Sequence, residues 1–229
     1  MAAMQARAFA EAGFGVLQID LFGCGDSDGE FSHARWDIWK QDLFLAWNWL
    51  ENRTDVPISL WGLRLGALLA LDFARNWEKP IDKIILWQPV INGTSFLNQF
   101  LRLRMANEML ADGSAKTTGT SMLRDSLANG QVLEVAGYEL VSSLTDAIDS
   151  LRVAELAVGK SIVHWFEIVA EPGRSMAPAG INAINQWKRN GIDPHVHLVP
   201  CPPFWATQEI AECPELISAK LAAIAATAP

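Results

Sequence analysis

The chain has 229 residues, half of them hydrophobic, which suffices for one sizeable core and an inserted subdomain. Eighteen Lys and Arg stand against 26 Asp and Glu, and the resulting net charge of −8 works against binding a polyanion, so nucleic acid is not an expected partner. Three cysteines, Cys24, Cys201 and Cys213, are odd in number and show no C-x-x-C spacing. Neither a disulfide framework nor a zinc ribbon is indicated, and reduced thiols in the cytoplasm are expected.

Residues 2 to 12 have helical composition and stop at Gly13, and the apolar run Gly15 to Asp20 reads as a short buried strand. Gln5, Arg7 and Glu11 interrupt the apolar positions of the first segment, so it lacks the continuous apolar stretch of a signal peptide. No later run reaches the roughly 18 apolar residues of a membrane span, and no membrane partner is expected. Next comes L-F-G-C-G-D-S-D-G, a glycine and aspartate cluster that reads as loop, then an amphipathic helix from Ala34 to about Arg53.

Ile58 to Trp61 reads as a second strand, Leu65 to Asn76 as a helix, and Lys83 to Val90 as a third strand closed by proline. From Gly93 to Val153 the alternation gives way to helical periodicity, with the polar link D-G-S-A-K-T-T-G-T inside it. It resumes with a strand at Ser161 to Ala170, a helix from Pro178 to about Asn190, a strand at His195 to Val199 and a closing helix from Pro214 to about Ala226. Strands alternating with helices argue a mostly parallel sheet with helices on both faces. The expected organisation is a core of residues 1–92 and 154–229 carrying a helical cap insertion at 93–153.

Three features coincide: D-L-F-G-C-G-D-S-D-G after a strand, the strand-to-helix turn Gly62-Leu63-Arg64-Leu65-Gly66, and a helical insertion after the following strand. Together they resemble the α/β-hydrolase fold, whose nucleophile elbow reads G-x-S-x-G. More narrowly, W-G-L-R-L-G-A-L-L-A with A-G-Y-E-L and C-P-P-F-W is similar to the bacterial exosortase A system-associated hydrolase 2 family. That resemblance implies a hydrolase linked to exopolysaccharide and protein-sorting clusters. It also implies that the first strands of the fold are missing, because the chain opens on the helix that normally follows them.

The catalytic parts transfer only position by position. The elbow carries Arg64, which cannot attack a carbonyl and stays charged near neutral pH. The acid position holds Glu171, and the region where a histidine is expected, V-P-C-P-P-F-W-A-T-Q-E, contains none. A Ser-His-acid mechanism is therefore not supported, and the catalytic residues are unknown. Three readings follow: a degenerate member binding an anionic small molecule or acidic glycan fragment, a hydrolase using a non-serine route, or a partner-binding scaffold.

At the elbow, Arg64 with the N–H groups that begin at Leu65 would make an anion site, or Arg64 would pair with a buried carboxylate, with Glu171 as the candidate. Cys24 and Ser27 are conceivable alternative nucleophiles or ligand contacts in a loop whose Gly and Asp content also suits tight turns. His195 and His197 share a strand face, with His164 nearby, but no third ligand is set by spacing, so packing roles are favoured over a metal. Cys201 and Cys213 read as inert small hydrophobes, and Phe204 and Trp205 as groups that plug or line the pocket. No metal or other cofactor is expected.

Overall fold

The computed structural model describes residues 1–112, 119–206 and 211–226. In chain order its elements are α1 (Ala2–Glu11), α2 (Trp36–Glu51), β1 (Leu60–Leu63), α3 (Leu65–Arg75), β2 (Lys83–Trp87), α4 (Gly93–Asp112), α5 (Thr120–Ala128), β3 (Leu133–Val135) and β4 (Tyr138–Leu140). They continue with α6 (Ser142–Asp149), β5 (Ile162–Val169), α7 (Pro178–Arg189), β6 (His195–Pro200) and α8 (Pro214–Ala226). The polar link expected at 112–120 lies mostly outside the described residues. Among those residues, no helix is long and apolar enough to cross a membrane.

The chain divides into two compact units. The first comprises Met1–Ile19, Ala46–Ile91 and Leu156–Pro229. Its sheet has the order β1-β2-β5-β6 and is parallel throughout, with Leu63 level with Trp87, Trp87 with Phe166, and Phe166 with His197. All five residues of β2 are buried, as a central parallel strand requires. On one face Ile85, Trp87, Phe166 and Val199 pack with Phe9 of α1 and Leu216 and Ile224 of α8.

The second unit comprises Asp20–Leu45 and Asn92–Glu155, so it takes in the glycine-rich loop and the start of α2 as well as the helical insertion. Its core is Leu101, Leu123, Leu127, Leu133, Val135 and Leu140. Arg124 ties α5 to its neighbours, donating to Asn98 Oδ1, to Asp149 Oδ2 and to the Thr94 carbonyl. The antiparallel pair β3–β4 turns through Ala136 and Gly137, both with positive φ, and helical periodicity gave no sign of it.

Two expectations are corrected. Gly15 to Asp20 is not a strand: the run joins no ladder, and Val16 and Leu17 are each 37% exposed. Its composition suits a buried strand, but a strand exists only with a hydrogen-bonded neighbour. Cys201 and Cys213 are joined in a disulfide, their Cα atoms 6.0 Å apart, because the fold brings the end of β6 back beside the start of α8. Their separation of 12 residues gave no such sign.

Candidate functional site

The elbow is built by close approach. At Gly62 any Cβ would fall 2.4 Å from the Gly66 carbonyl oxygen and 2.5 Å from the Ala67 nitrogen, so the strand can meet the helix only as glycine. Gly66 has open space around its missing Cβ. Between them Arg64 adopts φ 52° and ψ −114°, left-handed backbone that a non-glycine residue rarely takes. Hydrogen bonds hold it there: Arg64 N–H donates to the Trp87 carbonyl, and its own carbonyl accepts from Ala67 at 3.1 Å and Val90 at 3.3 Å.

The neighbouring strand end is strained as well. Gln88 has φ 39°, and its N–H donates to the Phe166 carbonyl. This places the Gln88 side chain over β5, where its Nε2 donates to Glu167 Oε1 at 3.2 Å and its Oε1 accepts from Ile168 N–H at 2.6 Å. Glu167 is 4% exposed, and its second oxygen accepts from Trp165 Nε1 at 3.0 Å. Both carboxylate oxygens are thus engaged, as a buried charge demands.

Arg64 is half-buried and sparsely partnered. Among the described residues its side chain makes one hydrogen bond, from Nη1 to the Gln88 carbonyl at 3.3 Å, and its guanidinium carbon stands 5.0 Å from the Trp205 ring centre. Burial pulls its pKa below the usual arginine value, and the negative charge of Glu167 opposes that pull. A guanidinium offers five N–H donors, so most of its capacity is unmatched among the described residues. Phe204 packs edge-on against Trp87 and lies on the core, whereas Trp205 lines the arginine.

Glu171 stands elsewhere. Its side chain is 69% exposed and pairs with Arg174 at 3.7 Å, on a surface turn beyond β5. Among the described residues the carboxylate acting on Arg64 is Glu167, which sequence reasoning missed. Its signal was one acidic residue inside the apolar strand I-V-H-W-F-E-I-V, where burial requires a partner.

Cys24 and Ser27 belong to the second unit. Ser27 Oγ donates to the Asp20 carbonyl at 2.6 Å, and Asp26 N–H donates to Asp20 Oδ2 at 3.1 Å. The Cys24 thiol is pushed up by burial, then by Asp20 and Asp42, which keeps it protonated and a poor nucleophile. Asp20 organises this loop as turn chemistry, and at Gly25 a Cβ would collide with its carboxylate.

His164, His195 and His197 meet on the sheet face that α8 covers. His164 Nδ1 lies 3.2 Å from His197 Nε2, and the His164 and His195 rings stack at 5.1 Å. Burial, and then the neighbouring His197, His195 and Lys83, lower the His164 pKa to about 4, so His164 is neutral at physiological pH, and burial and then His195 lower that of His197 as well. Among the described residues no group of three or more His, Cys, Asp or Glu side chains could hold a metal ion.

A family model described as serine aminopeptidase, S33 (Hydrolase_4) matches residues 2–167, a span that takes in the elbow, Gln88 and Glu167. The chain belongs to this family. Over 90 residues it is 31% identical to Protein ABHD12B of Homo sapiens, covering 38% of this chain and 24% of that protein. Over 65 residues it is 38% identical to an uncharacterized 31.7 kDa protein in the traX-finO intergenic region of Escherichia coli, covering 27% and 23%. It spans about a quarter of the length of these relatives.

Among solved structures, a highly thermostable carboxyl esterase from Bacillus coagulans and a monoacylglycerol lipase from Paleococcus ferrophilus each superpose with a TM-score of 0.61 at 14% identity. They cover 98% of this chain and 84% and 88% of theirs. The mouse alpha/beta hydrolase domain-containing protein 10 reaches 0.57 at 15% identity, covering 99% and 84%. The Hydrolase_4 chain therefore has the α/β-hydrolase fold, with Arg64 at the elbow position.

Proposed function

We propose that this chain is a catalytically degenerate family member that binds an anionic small molecule, such as a carboxylate, phosphate or acidic glycan group, at Arg64. The observation carrying this reading is the state of the arginine: it is held in strained backbone on the elbow and, among the described residues, makes one long side-chain hydrogen bond. Both oxygens of Glu167, the carboxylate that acts on it, already accept hydrogen bonds, from Gln88 and Trp165. An anion beside Arg64 would also meet the N–H groups that open α3 at Leu65 and Gly66.

Hydrolysis by the serine route is not available to these residues. Arginine supplies no nucleophile, and no histidine follows β6. Acidic glycan fragments are the first probes because the elbow and C-P-P-F-W segments resemble the exosortase-associated, exopolysaccharide-linked hydrolases.

The test is thermal and chemical unfolding with a panel of carboxylates, phosphates and uronic-acid oligosaccharides. A ligand at about a hundred times its dissociation constant stabilises the fold by about 2.7 kcal/mol, and Arg64→Ala abolishes that gain. Short acyl esters should not turn over above an Arg64→Ala control. Turnover lost in Cys24→Ala or Ser27→Ala would overturn the reading in favour of a non-serine hydrolase.

A further inference from the structure

α7 and β6 leave a groove between them, within the first compact unit. Ile181, Ile184 and Lys188 recur at helical spacing and share one face of α7, and Val196 and Leu198 alternate onto one side of β6. These side chains line a space of about 460 Å³, the size of a small-molecule site. Three of them stand well exposed for apolar groups, Ile181 at 39%, Val196 at 39% and Leu198 at 44%. Apolar residues scattered singly on a surface are ordinary, but three from two elements facing one slot offer an apolar ligand a continuous wall.

The groove is also polar at its ends. β5 and β6 run parallel, so α7 crosses back between them and its first turn stands at their C-terminal ends. Arg174 and Ser175, in the turn before α7, line that end and Lys188 lines the other, with about 10 Å of helix axis between Ile181 and Lys188. Among the described residues no Asp or Glu lines the groove, the reverse of a chain whose net charge is −8. The two cations differ in commitment. Lys188 Nζ lies 3.0 Å from Asp193 Oδ1, which leaves its aliphatic stem as wall. Arg174 lies 3.7 Å from Glu171 with the two side chains 64% and 69% exposed, a pairing that water keeps weak, so its guanidinium can exchange Glu171 for a ligand carboxylate held by two hydrogen bonds.

We propose that this groove is a second ligand site, separate from Arg64, for a medium-chain aliphatic carboxylate. The carboxylate lies on Arg174, with the Ser175 hydroxyl donating to it, and the unbranched tail runs along Ile181, Ile184, Val196 and Leu198 toward the Lys188 stem. A single slot of this length takes one tail. Both parts of the ligand contribute: the tail covers side chains that otherwise face water, and the guanidinium fixes the head. Neither Arg64 nor Glu167 lines the groove, so the site does not depend on the elbow.

Calorimetric titration of the Arg64→Ala chain, which lacks the elbow's cation, reads the groove by itself. Decanoate should bind at one site, and butyrate and decanol should each bind roughly ten-fold or more weakly, because one lacks the tail and the other the charge. Adding Arg174→Gln or Leu198→Asp, each folded by circular dichroism, should weaken decanoate roughly ten-fold or more. Decanoate that binds the wild-type chain but not Arg64→Ala sits at the elbow, which supports the elbow reading and overturns this one. No binding to either chain, butyrate or decanol equal to decanoate, or binding indifferent to Arg174→Gln also overturns it. So does a dimer in sedimentation that Leu198→Asp dissociates and decanoate does not, since a second copy then fills the groove. If Arg64→Ala or Leu198→Asp does not fold, Arg174→Gln and the comparison of decanoate with butyrate and decanol, made in the wild-type chain, decide.

Discussion

Gln88 donates to Glu167 across 79 residues of sequence, its Nε2 lying 3.2 Å from Oε1, and this contact joins the elbow to the buried carboxylate of β5. The left-handed backbone at Gln88 is what turns its amide toward Glu167, while its carbonyl accepts from Arg64. One residue therefore serves both the cation and the anion.

The two acidic residues should differ sharply on substitution. Glu167→Ala removes the acceptor of two partly or fully buried donors, Gln88 Nε2 and Trp165 Nε1, and should cost roughly 2 to 4 kcal/mol in urea unfolding. Glu171→Ala, at an exposed pair, should stay within about 0.5 kcal/mol of the parent. A larger loss from Glu171→Ala than from Glu167→Ala would show that Glu171 and not Glu167 supports the site.

The elbow's two glycines should also separate. Gly62→Ala forces a Cβ into the backbone of Gly66 and Ala67, and should destabilise by roughly 3 kcal/mol or prevent folding. Gly66→Ala meets nothing within 4 Å at the start of a helix and should be neutral or stabilising by about 0.5 to 1 kcal/mol. Melting temperatures of the two variants settle the comparison.

Lys220 should make stability depend on alkaline pH. Its Nζ is fully buried without a hydrogen-bond partner, 3.3 Å from the Trp87 ring centre and 4.0 Å from that of Trp61. Burial holds its pKa well below the ordinary lysine value. Between the folded and unfolded values the unfolded chain binds the extra proton, so stability rises with pH toward about 10.5 and falls as pH is lowered, by at most about 1.4 kcal/mol per unit. Lys220→Met keeps the apolar stem, should flatten that slope and should be more stable at neutral pH. An unchanged slope in Lys220→Met, measured by urea unfolding from pH 7 to 10, would show that the lysine is charged in the fold.

Much of the architecture was legible because it rests on local periodicity. The strands at Leu60, Lys83, Ile162 and His195, and the helices that follow them, come from apolar runs bounded by glycine and proline, a pattern that survives without knowledge of neighbours. The elbow was legible for the same reason, since G-x-R-x-G states a turn in five consecutive residues. What tertiary structure alone decided depends on partners distant in sequence. Val16 to Asp20 has the composition of a strand but lacks a ladder to join. Cys201 finds Cys213 only because α8 returns to β6, and Arg64 responds to Glu167 instead of the sequence candidate Glu171 because strand parity turns one carboxylate inward while the turn after β5 leaves the other in water. Periodicity carries the face of an element that is buried, and the folded chain alone carries what that face meets.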